Sequence, residues 1–290
     1  MRLKISHTTR YLYDAPVPYA LSQVRLRPKA QGYQQVLSWD VAITGGRVEN
    51  RYEDYHRNGV DLVSTNAGAS ELLIEVTGEV ETQDTAGVLG PHGAFVPLWL
   101  YLRPTPLSKT GKGMADLARS LKGEKDTLSQ MHGLMAGIAD RMAYRTGTTD
   151  ASTTGEQALA AGQGVCQDMA HVFVGTARSL GVPARYVSGY LLMRDRDTQD
   201  AAHAWAEAHI DGLGWIGFDI ANRMCPDGGY IRVATGLDYA EAAPVTGMRR
   251  GIGAETLEVR LEVAEVAGQS QAQSGKDKEH EIAAQTATQQ

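Results

Sequence analysis

The hydrophobic repeat changes period sharply after about residue 105, and a long run of strands ahead of the first helices points to a fold that does not alternate the two. Up to about residue 105, apolar residues recur at every second position. Beyond the proline-bearing segment YLRPTPLS (101–108) they recur at i, i+3 and i+4. Regular alternation of strand and helix would wind a parallel sheet. A run of strands followed by helices instead predicts an α+β fold.

Residues 1–105 read as an antiparallel β-sandwich domain. VLSWDVAI (36–43) places Trp39, Val41 and Ile43 on one face before a Gly45-Gly46 turn, and Asn58-Gly59 is a strong hairpin signal. His7, His56 and His92 carry no motif and read as surface or interface residues. Residues 106–250 form a second unit. Within it MADLARSL (114–121) and LSQMHGLMAGIADRMAY (128–144) are amphipathic helices, with Met131, Leu134, Met135, Ile138 and Met142 as one core stripe. Thr153 or Thr154 with Gln157 forms a capping box. LEVRLEVAEV alternates, so 251–266 is expected to add a strand that closes a sheet. Residues 267–290 hold one Ile and no aromatic, too little apolar surface to offset the entropy of ordering, and read as a disordered tail.

Composition removes several function classes. The net charge of −6 comes mostly from the last forty residues, which hold 3 basic and 7 acidic residues. A nearly neutral body has no electrostatic footprint for nucleic acid. Two cysteines cannot make a disulfide scaffold or a zinc ribbon. The start from Met1 has no apolar signal region, and no run approaches the roughly 18–20 apolar residues of a membrane span. A cytoplasmic protein with reduced thiols and no membrane or nucleic-acid partner is expected.

The chemistry concentrates in GQGVCQDMAHVFVGTARSLGVPARYVSGYLL (162–192) and the strands after it. Met169, Val172, Phe173, Thr176 and Leu180 keep helical spacing, and Gly181 and Pro183 end the helix. Gly162 and Gly164 break any helix upstream, so Cys166 falls in the first turn. There the positive end of the helix dipole favours a thiolate, and unpaired backbone N–H groups can hold an oxyanion. Asp168 suits the same dipole in a structural role. His171 is five residues along the helix, about 140° round, so it reads as a core residue rather than the base.

AHAWAEAHI (202–210) then reads as a strand with His203, Trp205, Glu207 and His209 on one face. His209 lies about 20 Å from His203 along that strand, so one site cannot use both. WIGFD (215–219) forms the next strand, with Asp219 at its end. For His203 and Asp219 to share a face, the loop between the strands must hold an odd number of residues, or carry a bulge. Pairing His209 with Trp215 then leaves Asp219 one diagonal step from His203, close enough to orient the imidazole. Trp205 and Trp215 read as packing residues and Cys225 as an ordinary thiol. A metal site from Cys166, His203, Asp219 and Cys225 lacks close ligand pairs, so neither metal nor other cofactor is expected.

GVCQDMAH, AHAWAEAHI and GWIGFDIAN resemble the three motifs of bacterial transglutaminase-like proteins, a group labelled as cysteine proteases. ISHTTRYLYDAPV resembles their N-terminal domain, and the likeness spans about 1–265. It implies a papain-like transglutaminase core, with a cysteine-bearing helix packed on an antiparallel sheet. By motif position Cys166 is the nucleophile, His203 the general base and acid, and Asp219 its orienter. It also implies a side-chain amide in the oxyanion hole, for which Gln163 is the candidate, with Gln167 beside it. Many members follow the aspartate with Pro-Thr-Asn, where this chain has Ile220-Ala221-Asn222. The implied activity is acyl transfer at peptide or protein amides through a thioester. Water as acceptor makes a peptidase or amidase, the expected reading. An amine acceptor makes a transglutaminase. The reading from another class is a non-catalytic peptide- or protein-binding module.

Overall fold

The computed structural model describes residues 1–93, 95–194, 198–199 and 201–266. The segment 267–290, expected to be a disordered tail, lies outside them.

Six strands come first: β1 (Arg2–Val17), β2 (Tyr19–Arg27), β3 (Gln34–Thr44), β4 (Gly46–Glu53), β5 (Gly59–Thr65) and β6 (Ala69–Thr82). In β1 burial alternates, Leu3 and Ile5 inward with Lys4 and Ser6 outward, as period-2 patterning requires. A short β7 (Val88–Gly90) follows, and then the helices α1 (Lys112–Ser120) and α2 (Thr127–Ala139). The stripe Met131, Leu134, Met135 and Ile138 is buried on α2, together with Met142 just beyond it.

The rest of the chain builds the second layer. A two-residue β8 (Ala143–Tyr144) runs parallel to β9 (Gln163–Gly164), with α3 (Gly155–Ala161) between them. The α3 capping box is Thr154 with Gln157. Then come α4 (Cys166–Ser179), β10 (Ala184–Leu191), β11 (Thr198–Gln199), β12 (His203–Ile210), β13 (Gly214–Phe218) and β14 (Tyr230–Gly236). The chain ends in α5 (Tyr239–Ala242), β15 (Val245–Arg250) and β16 (Glu255–Glu265).

The result is an α+β fold. The sandwich has one sheet ordered β11-β16-β1-β6-β3 and another ordered β15-β2-β5-β4. The core sheet is ordered β14-β10-β12-β13-β7. Strands cross the units in both directions: β7 lies on the core sheet, while β15 and β16 return to the sandwich. The alternating pattern of β16 reads as a strand, but its partner β1 lies some 250 residues away and no local signal names it.

Both marked turns are present, each with its own geometry. Asn58-Gly59 marks the β4–β5 hairpin, yet it is not a two-residue turn. Positive φ falls on Arg57 (62°), and Asp54 ties a longer loop by accepting from the N–H groups of His56 and Asn58. Gly45 (φ 81°) carries the chain from one sandwich sheet to the other, and a Cβ there would collide with the Glu71 carbonyl.

Two histidines of the first unit take the interface half of their expected placement. His7 and His56 are not at the surface but buried against the core. His7 Nδ1 meets the Tyr190 hydroxyl at 2.9 Å, and His56 Nε2 meets Glu241 at 2.8 Å. Burial drives the His7 pKa down to about 4, so it sits there neutral. Amide side chains complete this seam. Gln34 donates to the Arg232 carbonyl and accepts from its N–H, each at 2.8 Å, and Asn58 does the same at Thr235. Both pairs cap the free edge of β14 as another strand would.

Candidate active site

The start of α4 is held by its own third residue. Asp168 Oδ2 accepts from the Val165 N–H at 2.8 Å and from the Thr149 hydroxyl at 2.7 Å. Burial raises the Asp168 carboxyl pKa against these bonds. The helix is buried from Asp168 to Arg178, and Arg178 fixes its far end by donating to the carbonyls of Tyr101, Ala184 and Leu237. Cys166, half-buried at the first helical position, is thus the end of a rigid rod.

His203 opens β12. The connection to β13 is the three residues Asp211, Gly212 and Leu213, and the register pairs His209 with Trp215. An odd loop was the condition for His203 and Asp219 to meet, and they do: His203 Nε2 lies 2.6 Å from Asp219 Oδ2. The remaining ring nitrogen, Nδ1, is left for the Cys166 thiol, which is within hydrogen-bonding reach of the imidazole. The ring also stacks on Trp205, centroids 6.2 Å apart. Burial alone would lower the His203 pKa. Hydrogen bonds and charge from Asp219 and Cys166 outweigh it and hold the imidazole up at about 10.

Asp219 sits just past β13, where its backbone bridges Met224. With Ile220 following it, this turn is closed by Asp219 N–H to the Met224 carbonyl at 2.8 Å and by the reverse bond at 3.1 Å. Besides His203, Asp219 Oδ2 accepts from Asn222 Nδ2 and from the Tyr230 hydroxyl, both at 2.7 Å. Burial would raise its pKa, but these donors and His203 pull it below the usual carboxylate value. Three donors at one oxygen leave the carboxylate little freedom to rotate.

His171 and Trp215, among the other candidates, are committed to partners outside this group. His171 Nε2 accepts from the Tyr239 N–H at 3.1 Å, and burial, then Arg178, drives its pKa down to about 3. Gln163, on β9, is half-buried, three residues before Cys166. Trp215 is buried, and its indole N–H donates to His92 Nδ1 at 3.0 Å. Cys225 is a free thiol packed against Gly87, and burial raises its pKa. Among the described residues no group of three or more His, Cys, Asp or Glu is placed to hold a metal ion, and no helix is long and apolar enough to cross a membrane.

Sequence reasoning missed two features. Tyr230 is invisible as a ligand of Asp219, because only the sheet brings its strand alongside. The second is the buried unit of Arg185, Glu207 and Arg232 on the face of β12 that carries Trp205. A signal for it existed: arginines inside the apolar strands ARYVSGYL and YIRVATG need a buried partner.

Comparison with known proteins matches two regions of the chain and its overall fold. Residues 115–220 match the transglutaminase-like superfamily, and residues 3–81 match the bacterial transglutaminase-like N-terminal region. A protein of Mycobacterium leprae is 29% identical over 279 residues, covering 92% of this chain and 99% of its own. One of Mycobacterium tuberculosis is 27% identical over 276 residues, covering 85% of this chain and 87% of its own. Both are named only as uncharacterized proteins. The crystal structure of a "Putative Cysteine Protease" from Cytophaga hutchinsonii superimposes with a TM-score of 0.75 at 22% identity, covering 92% of this chain and 91% of that one. It shares the fold.

Proposed function

From a chain that carries a transglutaminase-like superfamily core behind a bacterial transglutaminase-like N-terminal region, we propose a cysteine-dependent enzyme that transfers acyl groups from peptide or protein amides, with water as the acceptor. The observation that carries the reading is His203, held at 2.6 Å by a triply anchored Asp219 and presenting its other nitrogen to a thiol at a helix start.

In this reading the Cys166 thiolate attacks the amide carbonyl, and His203 is the imidazolium beside it. Backbone N–H groups at the start of α4, with Gln163 as the side-chain candidate, receive the charge that develops on the carbonyl oxygen. His203 Nδ1 gives its proton to the leaving amine as the C–N bond breaks, which leaves a thioester on Cys166. The neutral imidazole then takes a proton from water, the hydroxide attacks the thioester, and the thiolate returns with a free carboxylic acid as product. Asp219 stays ionised throughout and keeps Nε2 protonated.

The test is a peptide-library digest, read by mass spectrometry, for the wild type and for Cys166→Ala, with and without an added primary amine. Hydrolysed products from the wild type and none from Cys166→Ala support the reading. Amine-coupled products as the main species would make the protein a transglutaminase instead. Undiminished activity in Cys166→Ala would remove the thiol mechanism altogether.

A further inference from the structure

Between the sandwich and the core lies a cleft of about 580 Å³ that the thiol chemistry does not use. That size is within the range of small-molecule sites, roughly 300–1,000 Å³. Its sandwich wall carries Arg27 at the end of β2 and Lys29 just beyond it, with Glu53 at the end of β4 and Arg57 in the β4–β5 loop. Its core wall carries Arg185, Arg232 and Trp215. Five cationic side chains therefore face one lining carboxylate.

The bonds these cations already make do not cancel the excess. Arg185 and Arg232 share the single carboxylate of Glu207. Arg185 Nε donates at 2.5 Å, and Arg232 donates from Nε at 2.7 Å and from Nη2 at 3.1 Å. All three residues are buried, so the unit keeps a net positive charge away from water. Among the described residues Lys29 Nζ donates to two neutral acceptors, the His56 carbonyl at 2.6 Å and the Thr235 hydroxyl at 3.5 Å. Burial, then Arg232 and Arg185, pushes the Lys29 pKa well below its ordinary value. Arg27 bonds Asp61, which also serves Arg51, and Arg57 reaches Glu53 only at the exposed rim, 3.7 Å away.

Like charges gathered in one cleft, two of them on buried guanidiniums, are costly unless a counter-charge arrives. Guanidinium forks fit the oxygens of phosphate and carboxylate, and an ammonium adds a point charge beside them. Arg185 is held in place for this by lying 3.7 Å over the Trp215 ring. We propose that this cleft is a binding site for a small, multiply charged oxyanion, seated between Lys29, Arg185 and Arg232. The charged group is a phosphate ester or a polycarboxylate. Because its walls come from both units, the ligand bridges them.

The site stands apart from Cys166. Glu207 lies four residues along β12 from His203, about 13 Å of strand. Glu207 shares the β12 face of His203, so the separation runs along the strand and not across the sheet. The proposal therefore does not depend on the thiol being catalytic.

The experiment is thermal unfolding and calorimetric titration of the full chain with inorganic pyrophosphate in one arm and citrate in the other. Lys29→Gln and Arg57→Gln are run beside the wild type. Saturation by at least one anion is expected, with a melting midpoint raised by about 5 °C at a hundredfold excess over Kd and binding that weakens as salt rises. Tighter binding of pyrophosphate assigns a phosphate ligand, and tighter binding of citrate a carboxylate one. Both variants should lose about tenfold or more in affinity. Arg57 is largely exposed, so its variant keeps the test open even if Lys29→Gln unfolds. No midpoint shift or heat from either anion at roughly 10 mM, or affinity unchanged in Arg57→Gln and any folded Lys29→Gln, overturns the proposal.

Discussion

Replacing Glu207 by Gln keeps the side-chain volume and removes the one negative charge between two buried guanidiniums. Burial alone would raise the Glu207 pKa, but Arg185 and Arg232 reverse the sign and hold it at about 2, against an ordinary 4.5. At roughly 1.4 kcal/mol per pKa unit, that difference is about 3 kcal/mol of stability at neutral pH. The size agrees with the ~3–5 kcal/mol lost when one partner of a buried ion pair is removed. Because the folded-state pKa is depressed, this stability is fully present above the unfolded value of 4.5 and fades as pH falls toward 2. The gap between wild type and Glu207→Gln should therefore shrink to about 2 kcal/mol near pH 3.5. Urea denaturation followed by tryptophan fluorescence at the two pH values measures it, and the melting midpoint at pH 7 should fall by about 6–12 °C. Changing Arg185, Glu207 and Arg232 together to Met should recover most of the loss, since no charge then stays buried. A variant within about 1 kcal/mol of wild type at pH 7, or a gap that does not change with pH, would refute an ionic origin.

Two further outcomes concern the proposed triad. Asp219→Asn removes the charge that holds His203 protonated at Nε2. Turnover in a peptide-cleavage assay should fall by roughly a thousandfold or more with the fold intact by circular dichroism, and a loss under tenfold would show that His203 needs no orienting carboxylate. Tyr230→Phe deletes one of the donors on Asp219 Oδ2. A bond to a charged acceptor is worth about 1.5–3 kcal/mol, so kcat should drop about tenfold with KM unchanged. With less support for the carboxylate, the acid limb of the pH–rate profile should move to higher pH, and a change in KM alone would argue that Tyr230 contacts substrate instead.

Contacts set by one strand and its neighbour in sequence were legible. The change of period after residue 105 separates strand from helix, and the His203–Asp219 meeting follows from counting residues across one short loop. What failed to appear depends on strands distant in sequence. Arg185, Glu207 and Arg232 stand on three strands whose mutual register no single strand encodes. The same limit hid Tyr230 from Asp219. It also left His7 and His56 open between surface and interface, because the core wall that buries them is assembled from residues beyond 100. Asn58-Gly59 marked its hairpin but not the geometry of the turn. The dipeptide favours a two-residue turn, but here the Asn58 amide is committed to the Thr235 backbone, and the tight conformation moved back to Arg57.

That commitment bears on what the first unit does for the site. β14 is an edge strand of the core sheet, and an unpaired edge is free to fray. Gln34 and Asn58, both from the sandwich, close it with paired hydrogen bonds at Arg232 and Thr235. Two residues before the Gln34 contact, the same strand begins at Tyr230, whose hydroxyl anchors Asp219. Asp219 in turn fixes the imidazole that faces Cys166. β15 and β16 return past the core to complete the two sandwich sheets, so the sandwich cannot form fully until the chain has passed through the core. The unit that caps β14 is therefore complete only when β14 itself has been made, and the orientation of His203 is tied to the closure of the whole fold.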